Sequence, residues 1–540
     1  MSPEGRPGWA PARPTPDVAV WEPARPGTGR GAPGEAPGRD DDGVGAGDGA
    51  GRPGRGPAAP GPRRPAWWHR ASRGRRLALG YAALLLAAAL PAALLAPGQP
   101  QYGAESPWRG VETVDLRQEP TTGWSVALAE TLAPGFRPAC LRFPTATVDT
   151  GRVLVSAGPG WTYGFANDAG CGSETTGVGS RLALLDTERG AFSWVHDVAD
   201  DAARLGLAGP VDVVAASLAG DTGLVVVRVV AGERAVLLTL ALVDGSTVGA
   251  SEPRATTETD RFQAAGTVVV TGRQPAAGAR YSYELRDVRD LGRVTWAGRG
   301  TTSGTVLALD DRLVVATPEG TLQVDPTTGV ARPWGTRLDE LSGHLVHDGL
   351  LIGPTGAGGG VTARGADGEV RWRSPADVRG TLDEGRSCLL VSDVDRDRLT
   401  CLSWTTGEAT WSREGLGATG AAGVAGQTDD RVYASSSAPG DRPLEVQALD
   451  GATGRTLTRF DLPTGAVLAA VGRTVGYALA YGSSGGRSTV VAYDLASGER
   501  LWTHTGQLQV SIWAGHPVDV DVEGRAGELA APEARVVAGG

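Results

Sequence analysis

Short β-branched runs recur along most of the chain: GRVLVSA (from Gly151), GLVVVRVV (Gly223), GTVVVTG (Gly266), DRLVVAT (Asp311), GLLIGPT (Gly349), SCLLVSD (Ser387), DRVYASS (Asp430) and GRTVGYALAYG (Gly472). Apolar runs this short, bounded by Gly and Asp and with no long amphipathic pattern between them, predict strands rather than helices. Each run is followed by a turn-like segment: ALLDTERGAFSWV (Gly190), ALVDGSTVGA (Gly245), ELRDVRDLGRVTW (Gly292), LQVDPTTGVARPW (Gly329), ARGADGEVRW (Gly368), LSWTTGEATW (Gly407), ALDGATGRTLTRF (Gly454) and VVAYDLASGERLW (Gly498). The glycines are 55, 47, 37, 39, 39, 47 and 44 residues apart. A period near forty is that of a four-stranded propeller blade, so the pattern predicts an all-β propeller of eight blades, with seven as the alternative.

The chemistry of the segment is structural. Asp186, Asp325, Asp450 and Asp494 stand four residues before their Gly, where a carboxylate ending a strand can accept backbone N–H groups of the turn. The Gly supplies the positive φ that a tight corner needs. Trp194, Trp296, Trp372, Trp411 and Trp502 follow four residues later, and Trp334 follows at five. An indole recurring on an outer strand is expected to wedge against the next blade. The Gly245 copy lacks the Trp, and the Gly454 copy has Phe460 instead.

The pattern A-x-D-x-x-[ST]-G-x-x-x-W, best matched by AYDLASGERLW, resembles the repeat of the pyrroloquinoline-quinone (PQQ)-like propellers. That family includes quinoprotein dehydrogenases and the propeller lipoprotein of outer-membrane assembly. The resemblance covers roughly residues 122–515 and implies the fold without implying an activity, since non-catalytic members share the repeat. The dehydrogenases have a vicinal Cys-Cys ring and acidic and amide ligands for calcium. Here no two Cys are adjacent and Asn167 is the only Asn, which argues against bound PQQ, bound calcium and quinone-dependent oxidation. Closing the ring requires a terminal strand, and GWSVALAE (from Gly123) and QLQVSIW (from Gln507) are both candidates.

Composition divides the rest of the chain. Residues 1–66 are rich in Gly and Pro, with few large apolar side chains, and are expected to be a disordered arm. Its GRGAPG (Gly29 to Gly34) matches a dinucleotide fingerprint only formally, with no strand before it. Residues 77–96, LALGYAALLLAAALPAALLA, run without a charge over about 30 Å as a helix, the thickness of a hydrocarbon core. Arg63, Arg64, Arg70, Arg73, Arg75 and Arg76 precede them, with Trp67 and Trp68, so the positive-inside rule predicts a single-pass cell-membrane anchor with the arm in the cytoplasm. A cleaved signal peptide would need a charged region over 70 residues long. A linker at 97–121, an extracytoplasmic propeller at 122–515 and a small, polar tail at 516–540 complete the expected organisation.

All 51 basic residues are Arg, the chain having no Lys, which fits a high-GC bacterial genome. The net charge is −10, with 13 Arg against 8 acidic residues before position 77, leaving about −15 for the remainder. An acidic outer part excludes nucleic acid as the expected partner. All four Cys, Cys140, Cys171, Cys388 and Cys401, follow the apolar segment. Cys388 and Cys401 flank a turn near Val394 and Asp395, which predicts a Cys388–Cys401 disulfide and leaves Cys140–Cys171 as the second, each contributing about 2 to 4 kcal/mol.

Candidate catalytic patterns are thin. GSSGG (482–486) matches G-x-S-x-G but lies between strands rather than at a strand-to-helix elbow. His344 and His347 have no third ligand nearby in sequence. DVDRD (Asp393, Asp395, Asp397) begins like a calcium loop but lacks its Gly and terminal Glu. The insertion at 158–180, carrying Asn167 and Cys171, departs most from the repeat. The expectation is a monomeric, non-catalytic, membrane-anchored scaffold for an envelope protein or cell-surface ligand. A PQQ-dependent dehydrogenase and an extracytoplasmic sensor are the alternatives.

Overall fold

A computed structural model describes residues 113–532 apart from 160–176, 257–260, 274–281, 300–305, 310, 336–337, 339–342, 356–358, 386, 417–423, 429, 437–443 and 482–486. In blade 1 the strands Thr145–Asp149, Arg152–Ser156, Arg181–Asp186 and Ala191–Asp197 lie side by side in chain order, each antiparallel to the next. The same order recurs in blade 2 (212–250), blade 3 (261–299), blade 4 (307–333), blade 5 (345–373), blade 6 (381–414), blade 7 (424–461) and blade 8 (466–505). Blade 2 carries one further short strand, Arg254–Ala255, on its third strand.

The ring has a ninth blade where eight were expected. Gln509–Trp513, His516–Val520 and Arg525–Ala530 form its first three strands, and Thr121–Ala127 adds from the N-terminal side as the fourth. Both closure candidates are therefore used, one innermost and one outermost. Residues 516–530, expected in the C-terminal tail, belong to the ring. The blade escapes a count of repeats because the turn segment and the third strand that would announce it lie at opposite ends of the chain.

Burial follows the radial position of each strand. Second strands are largely apolar and buried, as in Leu389–Asp393, where every residue is buried, Ser392 and Asp393 included, because both faces meet a neighbouring blade. Fourth strands alternate, as in Arg500–Thr505, because one side faces solvent. An apolar cluster fills each of the nine junctions between consecutive blades. The cluster joining blade 9 to blade 1 sets Trp513, Val518 and Ala526 against Val153, Val155 and Leu185, which closes the circle. The short helix Leu128–Leu132 packs into this cluster from the connection between the two blades. A second helix, Val198–Arg204, connects blades 1 and 2, with the Asp197 carboxylate capping its first turn.

The expected arm at 1–66 and apolar span at 77–96 lie outside the described residues. Among the described residues no helix is long and apolar enough to cross a membrane. The end of the expected linker is described, and it belongs to the ring. Asp115 accepts the Thr474 and Val475 N–H groups at 3.0 Å, and the Val114 N–H donates to the Gly515 carbonyl at 3.1 Å. The Tyr477 hydroxyl accepts from the Leu116 N–H at 2.8 Å and donates to the Val114 carbonyl. Burial holds this phenol above its ordinary pKa and keeps it a donor. Trp502 of blade 8 donates its indole N–H to the Leu116 carbonyl, and Arg117 pairs with Asp494 at 2.5 Å. Residues 113–117 thus strap blades 8 and 9 together before the chain enters the closing strand.

Replacing Asp115 by Ala removes the acceptor for two N–H groups of a tight turn and is expected to cost about 1 to 3 kcal/mol. Urea unfolding checks this, with the 83% exposed Arg189 as the comparison, whose change to Ala is expected to stay within about 0.5 kcal/mol. Equal effects at the two positions would remove the strap from the account of closure.

Candidate functional site

The recurring turn joins the third strand of a blade to the fourth. Asp186 Oδ1 accepts the N–H groups of Glu188 and Arg189 at 3.0 and 2.9 Å. Asp325 does the same for Thr327 and Thr328, Asp450 for Ala452 and Thr453, and Asp494 for Ala496 and Ser497. Ser403 takes the place of Asp in blade 6, its hydroxyl accepting from Thr405 and Thr406. Each turn closes when the Gly N–H meets the carbonyl of the strand's end, as from Gly190 to Asp186, Gly329 to Asp325, Gly407 to Ser403, Gly454 to Asp450 and Gly498 to Asp494. Gly190, Gly245, Gly329, Gly368, Gly407, Gly454 and Gly498 all have positive φ. Gly292 does not, because the longer corner after Asp287 turns earlier.

These hydrogen bonds set the electrostatics. The Thr328 N–H, helped by the Thr328 hydroxyl and Arg312, holds the Asp325 carboxyl down to about 2. Asp450, facing the Thr453 hydroxyl, and Asp367, facing the Glu369 N–H, are lowered in the same way.

The corner also offers a backbone carbonyl to the preceding blade. Trp194 donates its indole N–H to Leu242 at 2.9 Å, Trp334 to Ala366 at 2.9 Å, Trp372 to Trp404 at 2.8 Å and Trp411 to Gly451 at 2.9 Å. Trp502 meets Leu116, and Trp124 of the closing strand meets Thr187 of blade 1. Where the indole is missing, a hydroxyl replaces it: Thr239 donates to Val288 in blade 2, and Thr458 to Ala496 beside Phe460 in blade 7. Trp296 packs at the junction of blades 3 and 4. Gly190, Gly245, Gly407 and Gly454 lie under the indole of the preceding blade, so a Cβ on Gly454 would come 2.6 Å from Trp411 Cδ2.

Sequence reading missed the ninth corner, although Asp115 and Trp124 are nine residues apart, the spacing of Asp325 and Trp334. It also missed Thr239 and Thr458, because a lone Thr on a strand carries no signal until its partner carbonyl is seen.

Cys388 and Cys401 form a disulfide with Cα atoms 5.6 Å apart, both buried between blades 6 and 7. Cys140 is disulfide-bonded, and Cys171 lies outside the described residues, as do Asn167 and GSSGG. His347 Nδ1 lies 2.8 Å from Glu384 and stacks on Trp404 with ring centres 3.8 Å apart. His344 lies against Gly353 in the same blade. Asp393 is buried, with its carboxylate 3.9 Å from Arg379 and 3.7 Å from Arg396. Among the described residues no three His, Cys, Asp or Glu side chains gather as metal ligands.

No family model matches the chain, and no curated protein matches it. Solved structures similar to it include BamB from Moraxella catarrhalis, at 12% identity over 76% of this chain and 96% of that one, with a TM-score of 0.37. The C-terminal WD40 domain of Sif2 is similar at 11% identity over 78% and 99%, with a TM-score of 0.35. The dihydro-heme d1 dehydrogenase NirN in complex with DHE is similar at 11% over 65% and 79%, with a TM-score of 0.34. The assignment of the fold rests on the strand order given above, and these likenesses say nothing about the ligand of this chain.

Trp411→Phe keeps most of the packing and loses one hydrogen bond, for an expected cost of about 1 kcal/mol. Gly454→Ala is expected to cost more, with about 1 to 2 kcal/mol from the left-handed backbone alone. Denaturant midpoints of the two variants check the order, and the reverse order would disprove the corner geometry. The low Asp325 pKa also makes a prediction about acid. Its folded value lies below the ordinary 3.8, so its contribution is complete above about pH 4 and disappears as pH falls through about 2. The thermal midpoint of Asp325→Asn is expected to fall less steeply than that of the wild type across this window.

Proposed function

We propose that the chain is a non-catalytic binding scaffold of the cell envelope: a nine-bladed ring held outside the cytoplasmic membrane by the apolar segment 77–96, working as a monomer. Its inter-blade loops and clefts are offered to an envelope protein or cell-surface ligand. The observation that carries this reading is the direction in which the repeated polar groups point. Corner carboxylates bind the N–H groups of their own turn, and indoles bind the next blade's carbonyl, so the residues that repeat serve the ring. What remains for recognition is what does not repeat. The disulfide of Cys388 and Cys401 supports an oxidising compartment, and the arginines before residue 77 support a cytoplasmic N-terminus.

The alternative with the most specific test is quinone-dependent oxidation. Full-length protein in detergent, titrated with PQQ and Ca²⁺, is expected to change neither in absorbance nor in thermal midpoint. A saturable spectral change with a midpoint that climbs with ligand concentration would replace the scaffold by an enzyme. The anchor is tested separately, because the full chain is expected to stay with membranes through an alkaline wash, and its release would overturn the membrane assignment.

A further inference from the structure

Blades 4 and 5 have the shortest outer strands of the ring, Ala331–Pro333 and Val370–Arg373 apart from the Gly-containing Thr247–Ala250. Alternation along paired strands fixes which side chains enter the cleft between them. Val314 faces blade 5 in their shared cluster and pairs with Gln323, which pairs with Arg332. Arg312 lies two residues before Val314 on the same face. On the other wall, Leu351 faces blade 4 and pairs with Arg364. Thr362, two residues before Arg364, pairs with Arg373. Trp372 turns toward blade 6 and bonds Trp404, which leaves Arg371 on the blade 4 side with Arg373.

Five guanidinium groups therefore face one cleft in a protein whose net charge is −10. Four carboxylates pair with these groups. Asp325 and Asp311 bind Arg312, the latter at 3.5 Å, and Asp367 and Glu369 bind Arg371 at 2.6 and 3.8 Å. Among the described residues Arg332 and Arg373 meet no carboxylate. Arg332 lines a cavity of about 200 Å³ together with Arg312, Gln323, Asp325, Thr328 and Val330. Burial and the neighbouring Arg373 charge both lower the Arg364 pKa, a repulsion within the wall that a bound anion would relieve.

We infer that the outer cleft between blades 4 and 5 is an anion-binding site for a phosphate group, held by Arg332 on one wall and Arg373 on the other. Guanidinium groups suit this ligand because their planar fork meets two oxygens of a phosphate at once. The site needs neither the anchor nor the absence of catalysis, so it stands or falls apart from the proposed function.

Full-length protein is titrated with inorganic phosphate and, in parallel, with glycerol phosphate at matched ionic strength, following the thermal midpoint. A saturable rise with at least one of them is expected, weakened tenfold or more in Arg332→Gln/Arg373→Gln and unchanged in Arg189→Gln, an 83% exposed arginine on blade 1. Saturation by both assigns the site to free phosphate. Saturation by glycerol phosphate alone assigns it to a headgroup or an envelope polymer. No saturable rise with either, or the same curve in the double variant, overturns the site. The unliganded midpoint adds a second control: relief of like-charge repulsion is expected to leave Arg373→Gln at or above the wild type. A fall would make Arg373 a brace of the cleft and overturn its role as a ligand.

Discussion

A corner that turns the chain back on itself exposes a backbone carbonyl at the face where the next blade must pack. Burying that carbonyl without a donor is costly, and at eight of the nine junctions a side-chain donor from the neighbouring blade meets it. The indole meets the need because it joins a large apolar plate to a single N–H. At corners such as Gly190 and Gly454 two reasons favour Gly, the sign of φ and the room the indole takes above it. Asp, Gly and Trp are thus three parts of one device. Replacement of the indole at two junctions by the hydroxyls of Thr239 and Thr458 shows that the donor can be supplied without the aromatic ring.

The same requirement explains how the ring closes. Blade 9 takes its first three strands from the C-terminal side, where the chain provides no corner for Trp502 to meet. Leu116 supplies the missing carbonyl, Asp115 holds two N–H groups of blade 8, and Trp124 then repeats the donation onto blade 1. Closure therefore joins contacts separated by more than 350 residues, a pairing that forms only after the rest of the ring has brought the two ends together.

The blades were legible in the sequence to the extent that they repeat. Runs such as DRLVVAT became second strands because both of their faces are buried, and the segments around Gly190, Gly329, Gly407, Gly454 and Gly498 became corners because their backbone chemistry is local. The ninth blade was not legible, since no window of the chain contains a third strand followed by its corner. The cleft between blades 4 and 5 was not legible either. Arg312, Arg332, Arg364 and Arg373 are far apart along the chain, and only the strand register assigns them to facing walls.

That cleft also illustrates how a repeat protein separates structure from recognition. Any side chain recurring once per blade is selected by the junction it serves, so information about a ligand can reside only in departures from the pattern. Short outer strands, a Pro ending the strand at Pro333, and arginines on both walls are departures concentrated at one junction. With no Lys in the chain, a positive charge alone carries little information, because Arg serves every ordinary surface role. What distinguishes this junction is the excess of guanidinium groups over carboxylates where two blades face one another, an arrangement that the packing of the ring does not require.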